Sequence, residues 1–190
     1  MPRILSLLVG LFFLSLSVYG QHKPLVLIAY YSQSGNTKTM AQAVAAGAQS
    51  VPGVRVLLLP IDQVSNQELL EADAIVVGSP VYNANVAPEV QQFINSWPFE
   101  GRPFKNKLGA AFVTGGGISI GEELVQLNLL HSMLIFGMLV MGGEETEAAF
   151  GASAITGEAP FQAGTVEEQF LEKGRGLGKR VAEVAVSLKK

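Results

Sequence analysis

Short apolar runs alternate with amphipathic helical segments along most of this chain, and this alternation constrains its fold more than any other feature. Most of the runs are continuously apolar, as expected of parallel strands whose two faces are both covered by helices. The pattern predicts an α/β fold, a doubly wound five-stranded parallel sheet with helices on both faces, in three α/β/α layers. The predicted strands are Leu25–Tyr31, Val54–Pro60, Ala74–Gly78, Leu108–Thr114 and Met138–Met141. The predicted helices are Lys38–Ser50, Asn66–Glu71, Pro88–Ser96, Glu122–Phe136 and Val166–Leu188.

The first twenty residues have the composition of an export signal. Arg3 gives a basic start, residues 4–16 are largely apolar, and Val18 and Gly20 stand at the positions that a signal peptidase reads. We expect a signal peptide over 1–20, cleaved before Gln21, and a periplasmic or secreted protein. Residues 21–190 then form a single domain with no stable membrane span. The apolar run is short for a membrane span, which needs about 20 apolar residues, and this favours a cleaved signal peptide. An uncleaved membrane anchor is the alternative.

Composition argues against several kinds of function. The formal charge is −3, becoming −4 when residues 1–20 and their Arg3 are removed, and no basic block is present, so nucleic-acid binding is not indicated. The chain has no cysteine and therefore neither disulfides nor thiol chemistry. Its two histidines, His22 and His131, are far apart in sequence, so we expect no metal site.

The C-terminal part combines a stretch predicted to be irregular with a long helix. Residues 142–164 are rich in Gly, Ala and Glu, and of the whole chain this is the stretch that we expect to be irregular. Thr165 and Glu168 have the spacing of a capping box, which predicts where the last helix starts. Three glycines would each destabilise an isolated helix by about 1 kcal/mol relative to Ala, so we expect close packing against a neighbour. These glycines are Gly174, Gly176 and Gly178.

The segment between the first strand and the first helix has the character of a phosphate loop. Ser32, Ser34 and Thr37 supply hydroxyls, Asn36 supplies an amide and Gly35 a permissive backbone position. Helix-start amides and the helix dipole favour an anion there. The loop has no Lys or Arg, so a phosphomonoester suits it better than a nucleoside triphosphate with magnesium. An ordinary N-cap is the alternative, because Ser, Thr and Asn are common caps.

Two further loops follow predicted strands. Gly78–Val86 follows the third strand and Thr114–Ile118 the fourth, and both are rich in small residues, Asn or an aromatic. Ligands of a doubly wound sheet bind beyond the carboxyl ends of its strands. Three such loops at one edge would bring backbone amides to a flat heteroaromatic ligand, with Tyr82 bordering its ring.

The three loops resemble those of the flavodoxin-like fold, and within it those of the WrbA-type NAD(P)H:quinone oxidoreductases and NADPH-dependent FMN reductases. The resemblance runs from about Leu25 to the C-terminus and includes Phe150–Gly157, a segment more particular to this group. It implies flavin mononucleotide (FMN) as cofactor, hydride transfer from NAD(P)H through the flavin to a small-molecule quinone, and a homodimer or homotetramer. The implied FMN-binding residues are Ser32, Gln33, Ser34, Gly35, Asn36, Thr37, Pro80, Val81, Tyr82, Asn83, Asn85, Thr114, Gly115, Gly116, Gly117 and His131.

The resemblance also implies roles for two isolated residues. His131 would be the catalytic side chain that assists at the flavin edge, and Trp97 would be an aromatic residue on the substrate side. The residues themselves leave structural alternatives open. His131 shares a helical face with Leu124, Leu127 and Leu134, as a core-edge histidine would, and Trp97 is equally explained by core packing. Where the family usually has an aromatic residue and a glycine, this chain has Asn83-Ala84.

Two other functions stay open. One is a non-enzymatic, flavodoxin-like electron carrier, although such carriers are typically strongly acidic. The other is an exported serine hydrolase, because Gly117–Gly121 reads G-x-S-x-G between a strand and a helix, with Ser119 as nucleophile. No aspartate follows Ser119, and the one later histidine, His131, falls in the very next helix, so the usual partners of such a serine are missing.

Overall fold

The structure, a computed structural model, describes residues 23–189. The predicted signal peptide, residues 1–20, lies outside the described residues. The predicted helices and strands are all found, with small shifts at their ends. The strands are β1 (Leu25–Tyr30), β2 (Arg55–Pro60), β3 (Ala74–Tyr82), β4 (Asn85–Val86), β5 (Leu108–Gly115), β6 (Leu139–Val140) and β7 (Ala152–Ile155). The helices are α1 (Asn36–Gln49), α2 (Asn66–Glu71), α3 (Pro88–Asn95), α4 (Glu122–Ile135) and α5 (Glu168–Ser187).

The sheet is parallel in the order β2-β1-β3-β5-β6, and β4 pairs antiparallel with the end of β3. Counted along this path, the order is 2-1-3-4-5, that of the flavodoxin-like sheet. Val26 of β1 pairs with Val56 on one side and with Ala74 on the other. The doubly wound parallel sheet is therefore confirmed, and the carboxyl ends of β1, β3 and β5 meet at one edge.

The last strand of the sheet is split into two pieces. β6 pairs with Leu108 and Gly109 at the start of β5, and β7 pairs with residues 112–115 at its end, both in parallel. The prediction that 142–164 is irregular is therefore wrong for β7. Its sequence, Ala-Ser-Ala-Ile, lacks the long apolar run that marks a buried strand. β7 delivers the segment that starts at Thr156 to the edge where the three loops lie.

Alternate residues of the central strands enter two separate cores. Val26 and Ile28 face the layer of α1 and α5, whereas Leu27 and Ala29 face the layer of α2, α3 and α4. All four side chains are fully buried. Because both faces of the strand are covered, the strand has no polar alternation, which explains the continuous apolar runs in the sequence.

Helix α5 packs closely against α1 at a glycine. A β-carbon on Gly178 would lie 1.9 Å from the carbonyl oxygen of Val44, far inside contact distance. Gly176 has more room, since the nearest atom to its β-carbon would be the Cβ of Glu144 at 3.6 Å. The expected close packing is thus confirmed at Gly178, and Gly176 contributes little to it.

The predicted capping box at the start of α5 is not formed. The residue preceding the helix is Glu167, which makes no side-chain cap. Its carboxylate instead accepts a hydrogen bond from the backbone N–H of Gln162, at 2.7 Å. A complete capping box is found at α2, where the N–H of Ser65 donates to Glu68 Oε2 at 2.8 Å and the Ser65 hydroxyl accepts from the helix backbone.

Within residues 23–189, none of the helices is both long and apolar enough to cross a membrane. The same part of the chain contains no group of three or more His, Cys, Asp or Glu side chains arranged to hold a metal ion.

Candidate functional site

The first loop of the site leads from β1 into α1. The residue before the helix is Gly35, in the left-handed conformation with φ of 95°, which glycine adopts without steric cost. Its N–H donates to the Ser32 hydroxyl at 3.1 Å. Among the described residues no side chain caps α1, and its first turn carries no acidic residue. The amides at the start of α1 are therefore available to an anion.

Thr37 and Thr114 join the first loop to the third. Their hydroxyl oxygens lie 2.7 Å apart, and both residues are buried. One of these hydroxyls donates to the other, and the backbone amide of Thr37, in the first turn of α1, is open to a phosphate. Ser34 is exposed and Asn36 half-buried at the same loop. The hydroxyl, the amide side chain and the open helix amides make a donor set that fits the phosphomonoester of FMN.

The second loop is a tight hairpin between β3 and β4. Asn83 and Ala84 form its two-residue turn, with φ of 51° and 60°. Two consecutive left-handed residues are the signature of a type I′ turn, which suits the twist of the flanking strands. Asn85 donates from Nδ2 to the carbonyl oxygen of Asn83 at 2.8 Å. The second residue of such a turn is usually glycine. Here it is Ala84, which adopts the left-handed conformation at a steric cost.

Tyr82 connects the second loop to the first. Its hydroxyl donates to Gln33 Oε1 at 2.8 Å. Desolvation, and secondarily the negative charge of Glu89, raises the pKa of Tyr82 above its usual value. The phenol therefore stays protonated at neutral pH and remains a hydrogen-bond donor.

The third loop is held from the side of β7. The carbonyl oxygen of Gly115 accepts from the N–H of Thr156 at 2.8 Å and from its hydroxyl at 3.1 Å. Farther along, the N–H of Ile118 donates to Glu158 Oε2 at 2.7 Å. A β-carbon on Gly117 would lie 2.7 Å from that same carboxylate oxygen. Glu158 thus lies against the third loop at Gly117, and its carboxylate engages one of the loop amides.

The second and third loops also touch directly. Gly121, which precedes α4, has φ of 103°, and a β-carbon there would lie 2.6 Å from the β-carbon of Ala84. Only glycine fits this approach. The structure therefore brings together the predicted loop residues Ser32–Thr37, Pro80–Asn85 and Thr114–Gly117 in one cluster at the carboxyl edge of the sheet.

Two predicted site residues, His131 and Trp97, lie outside the three loops in sequence. His131 is exposed on α4, nine residues past the helix start, which corresponds to roughly 13 Å along the axis. The nearby α4 residues Asn128 and Ser132 line a pocket together with Asn85 and Val86, so this part of α4 lies beside the second loop. Trp97 is 3% exposed and packs against Phe93, Phe104 and Phe136. Its surroundings support the core-packing interpretation over a role beside substrate.

The serine of the G-x-S-x-G motif lacks hydrolase partners. Ser119 has φ of 58°, a strained position like that of many functional loop residues. Within residues 23–189, however, neither a histidine nor a carboxylate is hydrogen-bonded to it. His131, the sole histidine that follows it, lies exposed on α4. The geometry gives no support to a hydrolase.

Two features of the site could not be found from the sequence. Glu158 belongs to a stretch without regular structure, and its approach to Ile118 depends on β7. The hydroxyl of Tyr31 donates to Glu89 Oε1 at 3.0 Å across 58 positions of sequence. In the sequence, Tyr31 stands out as an aromatic residue at the start of a glycine-containing loop. Nothing in the sequence indicates Glu89 as its partner.

Comparison with known proteins agrees with this geometry. The family model of the NADPH-dependent FMN reductases matches residues 60–152, a span that includes the second and third loops. The chain is 32% identical to a flavodoxin of Aquifex aeolicus (strain VF5) over 168 residues, covering 83% of this chain and 85% of the relative. It is 30% identical to an NAD(P)H dehydrogenase (quinone) of Geotalea uraniireducens (strain Rf4) over 201 residues, covering 86% and 98%.

A solved structure shares the fold. The flavodoxin, WrbA-like protein from Agrobacterium tumefaciens superposes with a TM-score of 0.70 at 25% identity, and the match covers 86% of this chain and 98% of that protein. Sequence relatives and fold therefore agree with the donor set of the three loops. The chain belongs to the flavodoxin-like family of FMN-binding oxidoreductases that includes the NADPH-dependent FMN reductases and the WrbA-type proteins.

Proposed function

We propose that this protein is an FMN-dependent oxidoreductase that transfers hydride from NAD(P)H to a quinone. The proposal rests on two hydrogen bonds that hold the three loops in one cluster. One joins the hydroxyls of Thr37 and Thr114 at 2.7 Å, and the other joins the Tyr82 hydroxyl to Gln33 at 2.8 Å. The similarity to an NAD(P)H dehydrogenase (quinone) supports a quinone as the acceptor.

The residues have separate tasks in this proposal. Ser34, Asn36 and the first amides of α1 would bind the phosphate of FMN. The backbone of Val81–Asn83 and of Gly115–Gly117 would border the flavin ring and orient it. Bound FMN would supply the hydride chemistry, which the side chains of this chain do not provide themselves.

Turnover tests this function directly. Purified protein loaded with FMN is mixed with NADPH or NADH and p-benzoquinone, and loss of nicotinamide absorbance is followed. We expect oxidation that depends on protein, FMN and quinone together. Protein that binds FMN but oxidises neither nucleotide faster than free FMN does would contradict the enzyme assignment.

An electron carrier is the second candidate, and the 32% identity to a flavodoxin favours it. A carrier would also bind FMN through these loops, but it would exchange electrons with a protein partner and not with NAD(P)H. The same assay separates the two, because a carrier accepts electrons from a chemical reductant and is not turned over by NAD(P)H with quinone.

We further propose that residues 1–20 direct export of the protein and that it assembles as a homodimer or homotetramer. An exported enzyme meets little NAD(P)H, so its reductant would then be a different molecule, whereas an uncleaved anchor would leave the domain facing inward. Sequencing of the mature N-terminus separates these cases. Gln21 as first residue supports export, and retention of Met1 supports the anchor.

A further inference from the structure

A groove lies beside the first loop, on the sheet face covered by α2, α3 and α4. It opens between the turn at Ile61–Gln63 and the helix α3, and its volume is about 540 Å³. Cavities that hold small molecules have volumes of about 300–1,000 Å³. Tyr31 and Ser32, at the start of the first loop, form one end of this groove. We refer to it as the Tyr31 groove.

The inner surface of the Tyr31 groove is apolar and aromatic. Ile61 and Val64 contribute aliphatic surface from the segment after β2, and Phe93 contributes a ring from α3. The ring of Tyr31 lies at the loop end and is half-buried. A flat aromatic ligand would bury apolar area here and contact ring faces and edges on two sides.

The charged side chains of the groove are both negative. Asp62 and Glu89 both line it, together with the neutral side chain of Gln92. None of the described residues that line it is a lysine or an arginine. An anionic ligand would meet two carboxylates without a compensating cation, whereas a cation would be attracted to them.

One of these carboxylates has a hydrogen-bond partner in the groove. Glu89 accepts the hydrogen bond from the Tyr31 hydroxyl at 3.0 Å. That bond is the main cause of the raised pKa of Tyr31, so the phenol stays protonated and keeps donating. The other carboxylate oxygen of Glu89 is left to interact with a ligand.

We propose that the Tyr31 groove is a second ligand site, which adjoins the FMN cluster at Ser32, and that it accepts cationic or neutral aromatic molecules and rejects anionic ones. The site does not depend on the proposed redox activity, because its selectivity follows from its own lining. By the same charge argument, the phosphates of a nicotinamide dinucleotide do not lie in this groove.

Three redox-inert naphthalenes of equal ring size test the proposal: 2-naphthylmethylamine (cation), 2-naphthamide (neutral) and 2-naphthoate (anion). Their binding to the full chain is measured by calorimetry or ligand-observed NMR in the presence of saturating FMN. We expect the cation to bind at least about tenfold more tightly than the anion, with the neutral compound between them. In the double variant Asp62→Asn with Glu89→Gln, the ratio should fall toward one.

A matched control removes a carboxylate from the opposite side of the sheet. Glu183 is exposed on α5, so Glu183→Gln should leave the order of the three affinities unchanged. Equal binding of all three compounds, an unchanged order in the double variant, or displacement of the compounds by FMN would each overturn the proposal. Failure of FMN itself to bind would instead count against the proposed function and not against this groove.

Discussion

The hydroxyl oxygens of Thr37 and Thr114 lie 2.7 Å apart in the protein interior, one on the first turn of α1 and the other near the end of β5. Thr37 is 2% exposed and Thr114 is 5% exposed. Both residues are buried, and one hydroxyl donates to the other, so each has a partner inside the protein. This contact fixes the helix start that faces the phosphate relative to the glycine-rich third loop.

Removal of one hydroxyl should therefore cost more than removal of both. Thr114→Val keeps the shape of the side chain but leaves the Thr37 hydroxyl buried and unpaired, and we expect the free energy of unfolding to fall by about 1–3 kcal/mol. The double variant Thr37→Val with Thr114→Val should lose less than the sum of the two single variants. Urea unfolding of the four proteins measures this coupling, and strictly additive losses would show that the contact is unimportant.

The phosphate assignment predicts a difference between two flavins. Ser34 is an exposed hydroxyl at the loop before α1, so Ser34→Ala should remove one hydrogen bond to the charged phosphate and weaken FMN binding about tenfold or more. Riboflavin has the same ring without phosphate, and its affinity should stay the same. Fluorescence titration with both flavins gives the answer. An equal loss for riboflavin would place Ser34 at the ring instead.

Replacement of Glu158 should change the affinity for FMN in the opposite direction. Its carboxylate accepts the Ile118 N–H in the third loop, and a flavin ring edge that needs that amide must compete with it. A charged acceptor binds an amide about twice as strongly as a neutral one, so Glu158→Gln should tighten FMN binding by about three- to tenfold. Glu145→Gln, which changes the same charge on an exposed residue of another segment, is the control. Unchanged or weaker binding in Glu158→Gln would mean that the carboxylate supports the loop without competing.

Two glycines on α5 give a stability test with opposite expectations. Gly178→Ala would press a methyl group against the Val44 carbonyl, and we expect it to lower the free energy of unfolding by about 3 kcal/mol. Gly176→Ala has room, so the better helix propensity of Ala should stabilise the protein by up to about 1 kcal/mol. Chemical denaturation of both variants checks this, and similar changes in the two would contradict the packing described for α5.

The sequence predicted the layers and the loop cluster well because both follow from short-range pattern. Leu25–Tyr30 is apolar at every position, which indicates a strand covered on both faces. The hydroxyl, amide and glycine residues of Ser32–Thr37 indicate the start of a helix. The carboxyl ends of parallel strands share one edge by geometry, so three loops following strands had to meet.

The features that the sequence did not reveal depend on tertiary contacts. β7 has four residues and forms because β5 offers an unpaired edge at residues 112–115. The hydroxyl of Thr165 was expected to cap α5, but the carboxylate of Glu167 is drawn to Gln162 and the helix starts without a cap. His131 is assigned by resemblance, and the sequence alone does not tell which part of α4 lies beside the second loop.

Titration of the flavin-free protein with FMN tests the central claim, that the three loops form one FMN site. The account predicts saturation at one FMN per chain, with quenched flavin fluorescence and a shifted visible spectrum, and weaker binding in Ser34→Ala. Flavin that keeps the spectrum and fluorescence of free FMN at all protein concentrations would contradict it.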